Sequence, residues 1–347
     1  MGETSNANLL TTGSIPKKII MFAIPLLWGN LFQQLYNVAD SLIVGNFLGN
    51  NALAAVSSSG NLIFLMVGFF GGIGVGAGVV IARYYGAKNS DNLHKAIHTT
   101  VAFGFVAGSV LTVVGMYFAP KILVLMGTPA EVLPESVAYF RTYFAGSLGV
   151  VMYNIFVGIL QSVGDSRHPL IYLICSSCIN VVLDIFFIAG LGKGVGSAAL
   201  ATAISQFTSA ILCMIHLIRT KEEYQLQVGK IRFDGPSLSQ IIQNGVPSGF
   251  QNSVIALANV FVQSNINAFG KMAMAGCGSY SKIEGFVFLP VTCFNMALTT
   301  FVSQNLGAKQ YDRAKKGAWF GILCSMSIAE LIGFAIYAVS PVLIAAF

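Results

Sequence analysis

The sequence predicts an all-α polytopic membrane protein, built on two parallel six-helix repeats, of which about nine transmembrane spans fall within these 347 residues. Three observations predict this class. The chain is 55% hydrophobic and only 9% charged, whereas soluble proteins carry about 25% charged residues. Apolar stretches long enough to cross a bilayer, about 20 residues each, recur along the chain. Most of its Lys and Arg residues lie in the loops on one side of the predicted membrane.

Nine apolar segments are each predicted to cross the membrane, and Gly, Pro, Asn and charged residues fill the loops between them. The predicted spans are 17–45, 52–81, 95–119, 136–160, 169–190, 197–218, 237–266, 273–303 and 314–343. Fourteen Lys and Arg residues share one side with the N-terminus, whereas only Lys121, Lys193 and Lys271 lie on the other. This bias predicts a cytoplasmic N-terminus. It also explains the net charge of +6, so we expect no nucleic-acid partner.

An internal repeat appears when the sequence is shifted against itself by about 221 residues. The segment "AIPLLWGNLFQQLYN" (23–37) then meets "GVPSGFQNSVIALAN" (245–259), and "YYGAKNSDNLHKA" (84–96) meets "NLGAKQYDRAKKG" (305–317). Several matches in one register indicate a duplication. Because each repeat contains six crossings, an even number, both copies enter the membrane from the same side. The repeats are therefore parallel, which predicts a site at their interface.

The repeat predicts the domain organisation. We expect an N-lobe of six transmembrane helices in residues 1–219, a cytoplasmic linker in residues 220–236, and a partial C-lobe of three transmembrane helices in residues 237–347. The second copy stops just beyond the counterpart of Pro120. A complete protein of twelve spans is therefore expected to have three more.

Four acidic residues lie inside predicted spans: Asp40, Asp184, Glu284 and Glu330. A carboxylate at this depth costs about 2.5–3.5 kcal/mol on insertion scales and usually faces a cavity. Asn180 precedes Asp184 by one helical turn, which places an amide and a carboxylate on one face, as suits a proton or a small hard cation. The alternative is a polar pair that joins two helices. The repeat counterpart of Asp40 falls near Val262, so the acid belongs to one lobe only.

Amide side chains and prolines concentrate on the first, fourth and seventh predicted spans. Helix–helix hydrogen bonds and ordinary kinks account for part of this pattern. The presence of amide side chains on both copies of the first repeat span predicts a polar lining where the halves face each other. The predicted cavity residues are Pro25, Gln33, Asn37, Asn154, Gln251, Asn252 and Glu284. The segment "GGIGVGAG" (71–78) predicts a small-residue face for close helix packing.

The ordered set of motifs resembles the multidrug and toxic compound extrusion (MATE) family. It comprises Pro25 and Asp40 in the first span, "GAK" after spans two and eight, "QSVGDSRHP" (161–169) after span four and "YSKIEGF" (280–286) in span eight. The resemblance covers essentially the whole chain from residue 16. It implies an antiporter, not an enzyme, that exports organic, often cationic compounds in exchange for Na⁺ or H⁺ by alternating access of two lobes. We expect no cofactor, a monomer, and a multi-pass location in the plasma (bacterial cytoplasmic) membrane.

The resemblance also implies which residues couple transport to the cation. In family members with an N-lobe cation site, the carboxylates of spans one and five and their polar neighbours carry the coupling. The residues at those positions, which would also bind Na⁺, are Asp40, Asn180, Asp184 and Thr202. A subgroup of the family has an acid in span seven, shortly after the proline that matches Pro247. Here "PSGFQNSVI" (247–255) contains none, so we predict coupling in the N-lobe alone.

Three alternative functions agree less well with the residues of this sequence. A lipid-linked saccharide flippase of the same superfamily would line its cavity with Arg or Lys to meet a pyrophosphate, whereas the acids here favour a cationic cargo. An intramembrane protease would need Gly-x-Gly-Asp or Gly-x-Ser-Gly, and neither motif is present at the candidate residues. A channel would not require duplicated halves, which favour alternating access.

Overall fold

The computed structural model describes residues 9–125, 131–269 and 271–345, although some side chains within these ranges, including most of residues 53–67 and 271–284, lie outside the description. The described residues form helices and no strand, which confirms the all-α class. The helices are α1 (Ile15–Leu48), α2 (Asn50–Gly86), α3 (Ser90–Leu125), α4 (Leu133–Ala145), α5 (Ser147–Ser162), α6 (Arg167–Asp184), α7 (Gly196–Arg219), α8 (Gly235–Ala268), α9 (Lys271–Gly307) and α10 (Tyr311–Ala345).

The helices account for the predicted spans, although the count stays approximate. Six helical stretches of the described residues are apolar and long enough to cross a membrane, or seven if α4 and α5 form one span bent by 47°. The bend lies at Gly146, which packs directly against Ala203 of α7 and leaves no room for a side chain. The remaining two predicted spans are α2 and α8. Amides and serines interrupt the apolar stretches of α8, which lowers its hydropathy.

The duplication is visible in the turns that follow α2 and α9. Lys88 and Lys309, which occupy the same position of the two "GAK" motifs, have φ angles of 53° and 58°. They are the non-glycine residues with positive φ in the described ranges. The same set of backbone hydrogen bonds closes both turns. The two copies therefore end these helices in the same left-handed conformation.

The ends of α2 and α9 also meet in a reciprocal contact. Gly86 on α2 lies against the backbone of Gln304, and Gly307 on α9 lies against the backbone of Arg83. Gly86 corresponds to Gly307 in the repeat, and Arg83 corresponds to Gln304. Reciprocal contact between equivalent residues is the signature of a two-fold relation. It supports parallel repeats that face each other across one axis.

A second close contact between the halves joins α2 to α8 through glycines. Gly72 lies against the backbone of Gly249, and Gly76 lies against the backbone of Gly245. A Cβ added at any of these positions would overlap the opposing helix. The small-residue face predicted for residues 71–78 is thus confirmed.

Polar contacts join the halves at the end of the bundle where α1 begins. Leu10 donates its backbone N–H to Gln304 Oε1 at 2.9 Å, and Gln304 Nε2 donates to the Ser162 carbonyl at 2.8 Å. Arg313 donates to the carbonyls of Gly13 and Thr12. The N-terminal segment therefore binds to the second half, and Gln304 links this contact to the end of α5.

Residues 220–234, which connect the halves, pack on the first half. Tyr224 and Leu226 are buried in its apolar core. Asp234 caps α8 by accepting hydrogen bonds from the Ser237 backbone N–H at 3.0 Å and hydroxyl at 2.7 Å. These bonds hold the pKa of the Asp234 carboxyl below its ordinary value. The segment thus fixes where the second half starts.

Candidate functional site

A cavity of about 630 Å³ is lined mainly by residues of the first half, with Asn252 and Met296 contributed by the second half. It is lined by residues of α1, α2, α4, α5, α6, α7, α8 and α9. Asp40 is the charged residue among the described lining residues, which include no Lys, Arg or His. Several predicted residues line it: Pro25, Gln33, Asn37, Asp40, Asn154, Thr202 and Asn252.

Two acids of different helices meet at this cavity. The carboxyl groups of Asp40 on α1 and Asp184 at the end of α6 lie within hydrogen-bond reach of each other. Asp184 is completely buried. Among the described residues, neither Oδ1 atom has a hydrogen-bond partner. Two carboxyl groups in contact cannot both carry an unscreened charge, so the pair requires a shared proton or a bound cation.

The polar neighbours predicted for this pair join it. Asn180, one turn before Asp184 on α6, is almost fully buried. In the amide orientation that satisfies both of its ends, its nitrogen donates to Asp184 Oδ2 at 3.3 Å and its oxygen accepts from the Thr202 backbone N–H at 3.3 Å. The structure therefore brings together all four predicted coupling residues. Carboxylate, amide and hydroxyl oxygens form a set suited to a hard cation.

The end of α6 positions Asp184. The α-helix ends at this residue and continues as a π-helical turn over Ile185–Gly190. A π-turn shifts the following residues around the helix axis and is frequent at functional sites. Asp184 thus lies at a break in helical geometry, which its sequence "VVLDIFF" does not reveal.

Tyrosines form much of the remaining wall, and we did not predict them. Tyr36, one turn before Asp40 on α1, lines the cavity together with Gln206 and Gln33. Tyr139 and Tyr143 of α4 also line the cavity. The spacing of Tyr36 from Asp40 could have identified it, and Gln206 follows Thr202 by one turn in the same way. Nothing in the sequence near Tyr139 points to the cavity, because only the packing of α4 directs it there.

Two predicted cavity residues, Gln251 and Glu284, are not among the described lining residues. The side chain of Gln251 is exposed and is not among the lining residues, whereas its neighbour Asn252 reaches the cavity and donates to the Gly68 carbonyl at 3.3 Å. Successive helix residues point about 100° apart, so one of the two must turn away. The side chain of Glu284 lies outside the described part of the structure.

Comparison with known proteins identifies the family. The MatE family model matches residues 25–186 and 247–347. "Probable multidrug resistance protein YoeA" of Bacillus subtilis (strain 168) is 32% identical over 99% of this chain and 77% of its own length. A FAD transporter of Shewanella oneidensis is 26% identical over 88% of this chain and 69% of its own length. The chain spans about two thirds to three quarters of the length of these curated relatives.

A crystal structure of MATE in the bent conformation superposes on this fold with a TM-score of 0.89, at 25% identity, covering 96% of this chain and 75% of that one. The helical architecture and the paired halves are therefore those of solved MATE structures. MATE proteins are membrane transporters and not enzymes. The chain belongs to the MATE family of multidrug efflux transporters.

Proposed function

We propose that the chain is an antiporter that exports organic cations in exchange for Na⁺ or H⁺, with Asp40 and Asp184 as the coupling site. The contact between these two carboxyl groups carries the proposal. When a proton or Na⁺ occupies the pair, it neutralises one of the two carboxylate charges. When it leaves, the second charge needs another cation, which a cationic cargo beside Asp40 can supply. The two cations therefore bind alternately, which is the requirement for exchange.

The cavity wall supports a cationic, aromatic cargo. Its volume of about 630 Å³ lies within the range of small-molecule sites. The faces of Tyr36, Tyr139 and Tyr143 can hold an organic cation by cation–π attraction, and the amides can orient its polar groups. The name of the relative YoeA is consistent with a drug-like cargo. A pyrophosphate-linked saccharide would require basic groups that the described lining lacks, which disfavours a flippase.

The proposal is tested in liposomes that contain the purified protein and a fluorescent organic cation. Efflux is followed under a pure Na⁺ gradient and then under a pure pH gradient, for wild type, Asp40→Asn and Asp184→Asn. We expect one gradient to drive wild-type efflux and both variants to lose it. Glu330→Gln serves as a matched control, because this acid lies on α10 with its side chain exposed. Asp variants that match wild type under both gradients would overturn the proposal.

We also propose a monomer in the bacterial cytoplasmic membrane with its N-terminus in the cytoplasm, since the basic residues lie mainly on that side. Single cysteines at Thr12 and at Gly194 test the orientation in intact cells, after the native cysteines are replaced. Gly194 lies in the exposed connection before α7. An impermeant thiol reagent should label Gly194→Cys and spare Thr12→Cys. The reverse labelling would contradict the orientation.

A further inference from the structure

Three side chains that can bind a metal meet where α5 ends, α6 begins and α7 ends. Asp165 lies in the connection between α5 and α6, His168 lies in the first turn of α6, and His216 lies in the last turn of α7. Asp165 Oδ2 is 2.6 Å from His168 Nδ1 and 3.7 Å from His216 Nε2. The two imidazole rings face each other with their centroids 4.2 Å apart. All three candidate ligand atoms lie within 4.8 Å of one another.

Helix capping explains only one oxygen of Asp165. Its Oδ1 accepts from the backbone N–H groups of Arg167 and His168, both at 3.2 Å, which caps the start of α6. Its Oδ2 faces the two imidazoles instead. Asp165 is only 6% exposed, so this oxygen has little access to solvent. Two adjacent imidazolium ions would repel each other, whereas a divalent ion bound by both neutral rings and the carboxylate satisfies all three groups.

The surroundings of His216 favour metal ligation through Nε2. The other ring nitrogen, Nδ1, is 3.1 Å from the Tyr172 hydroxyl oxygen. If Nδ1 carries the proton and donates to that oxygen, Nε2 keeps its lone pair and points at Asp165. Metal-binding histidines in proteins almost always have such a partner on the second nitrogen, and the partner fixes the ring orientation.

We propose that Asp165, His168 and His216 form a Zn²⁺ site, with water completing the tetrahedron. Zinc–nitrogen and zinc–oxygen bonds of about 2.0–2.1 Å place tetrahedral ligand atoms about 3.3–3.4 Å apart. The His216–Asp165 separation of 3.7 Å is close to this value. The His168–Asp165 separation of 2.6 Å must widen, which the half-exposed His168 side chain permits. Two imidazoles and a carboxylate are a common set of protein ligands for this metal.

The site would join two of the helices that carry the predicted coupling residues. Zinc would tie the start of α6 to the end of α7, and these helices carry Asp184 and Thr202. Ser166 and Pro169, which flank the proposed ligands, line the cavity. The metal would therefore stiffen the junction at which the α5–α6 connection meets the cavity.

The test uses the purified protein with an affinity tag that contains no histidine. Zn²⁺ binding is measured by equilibrium dialysis and elemental analysis for wild type, His216→Gln and Asp165→Asn. Asp165→Asn keeps an oxygen for the helix cap and removes the charge. We expect wild type to bind about one Zn²⁺ per chain and both variants to bind at least about tenfold more weakly. Tyr172→Phe should weaken binding by about tenfold, the lower end of the range for an outer-shell partner.

His98→Gln is the matched control, because both of its ring nitrogens contact backbone groups. Nδ1 lies 2.6 Å from the His94 carbonyl, and Nε2 lies 3.1 Å from the Gln227 backbone. It should bind Zn²⁺ as wild type does. The His216→Cys variant supplies a thiolate ligand and should bind the metal again. With Co²⁺ in place of Zn²⁺, this variant should show a thiolate-to-cobalt absorption band, which would show that position 216 contacts the metal. Equal binding by wild type and His216→Gln, or a Cys variant without that band, would overturn the proposal.

Discussion

Helices α1 and α8 are equivalent members of the two repeats, yet they make different contacts. Both contain an internal proline and an amide that reaches across to the other half: Asn30 donates to Cys293 Sγ at 3.2 Å, and Asn252 donates to the Gly68 carbonyl at 3.3 Å. Only α1 carries an acid, Asp40. The equivalent position on α8 is Val262, whose side chain is exposed.

Their packing surfaces differ in the same way. On α8, Gly245 and Gly249 bring the helix backbone against α2. The equivalent residues of α1 are Ala23 and Leu27, whose side chains pack with apolar residues of α9. Both copies thus keep the internal proline and the crossing amide. The close backbone contact is found on α8, and the acid is found on α1.

The largest effect is expected from filling the glycine contact. Gly76→Leu would push a side chain into the backbone of Gly245 and should destabilise the protein by about 1–3 kcal/mol, with loss of transport. Gly74→Leu is the control on the same helix, because no atom lies within 4 Å of a Cβ built there. Thermal unfolding in detergent and liposome transport measure both variants. If both substitutions lowered stability and transport equally, the close contact with α8 would not be the cause of the loss.

Gln304 and its repeat equivalent Arg83 differ in burial and in hydrogen bonding. Gln304 is fully buried and bonds to both Leu10 and Ser162, whereas the Arg83 side chain is exposed. Gln304→Ala leaves a buried N–H and a buried carbonyl without their partner and should cost about 1–3 kcal/mol. Arg83→Ala should change the unfolding temperature little. The asymmetry would be refuted if the Arg83 variant were the less stable one.

Much of the fold and of the site could be predicted from the sequence. Long apolar segments and a repeat register are properties of the chain itself, so they reveal the helices and the paired halves. Asp40 and Asp184 stand out because a carboxylate in a span is costly. Tyr139 and the π-turn after Asp184 could not be predicted, because both depend on how α4 and α6 pack. The proposed zinc ligands could not be predicted for the same reason, since His216 is distant in sequence from Asp165.

Smaller effects are expected from the crossing amides. Asn30→Ala and Asn252→Ala each remove one hydrogen bond between the halves, which costs about 0.6 kcal/mol on average in membrane proteins. Equilibrium unfolding in mild detergent should detect the two losses, and the double variant should show their sum because the sites lie on different helices. A strongly non-additive result would indicate that both amides share one contact network.

The smallest effect is expected from moving the acid to the other repeat. Val262→Asp in the Asp40→Asn background places a carboxylate at the equivalent position of α8. The side chain at this position is exposed, and Asn180 and Thr202 belong to the other repeat. Cation-driven efflux in liposomes should stay at the level of Asp40→Asn alone. Recovery of efflux would show that either repeat can hold the coupling site.

The central claim is that Asp40 and Asp184 act as one cation site. A double-mutant cycle tests it most directly, with gradient-driven efflux measured for wild type, Asp40→Asn, Asp184→Asn and the double variant. We expect each single variant to lose coupled efflux and the double variant to lose no more than either single one. Independent losses that add in the double variant, or full efflux in either single variant, would contradict a shared site.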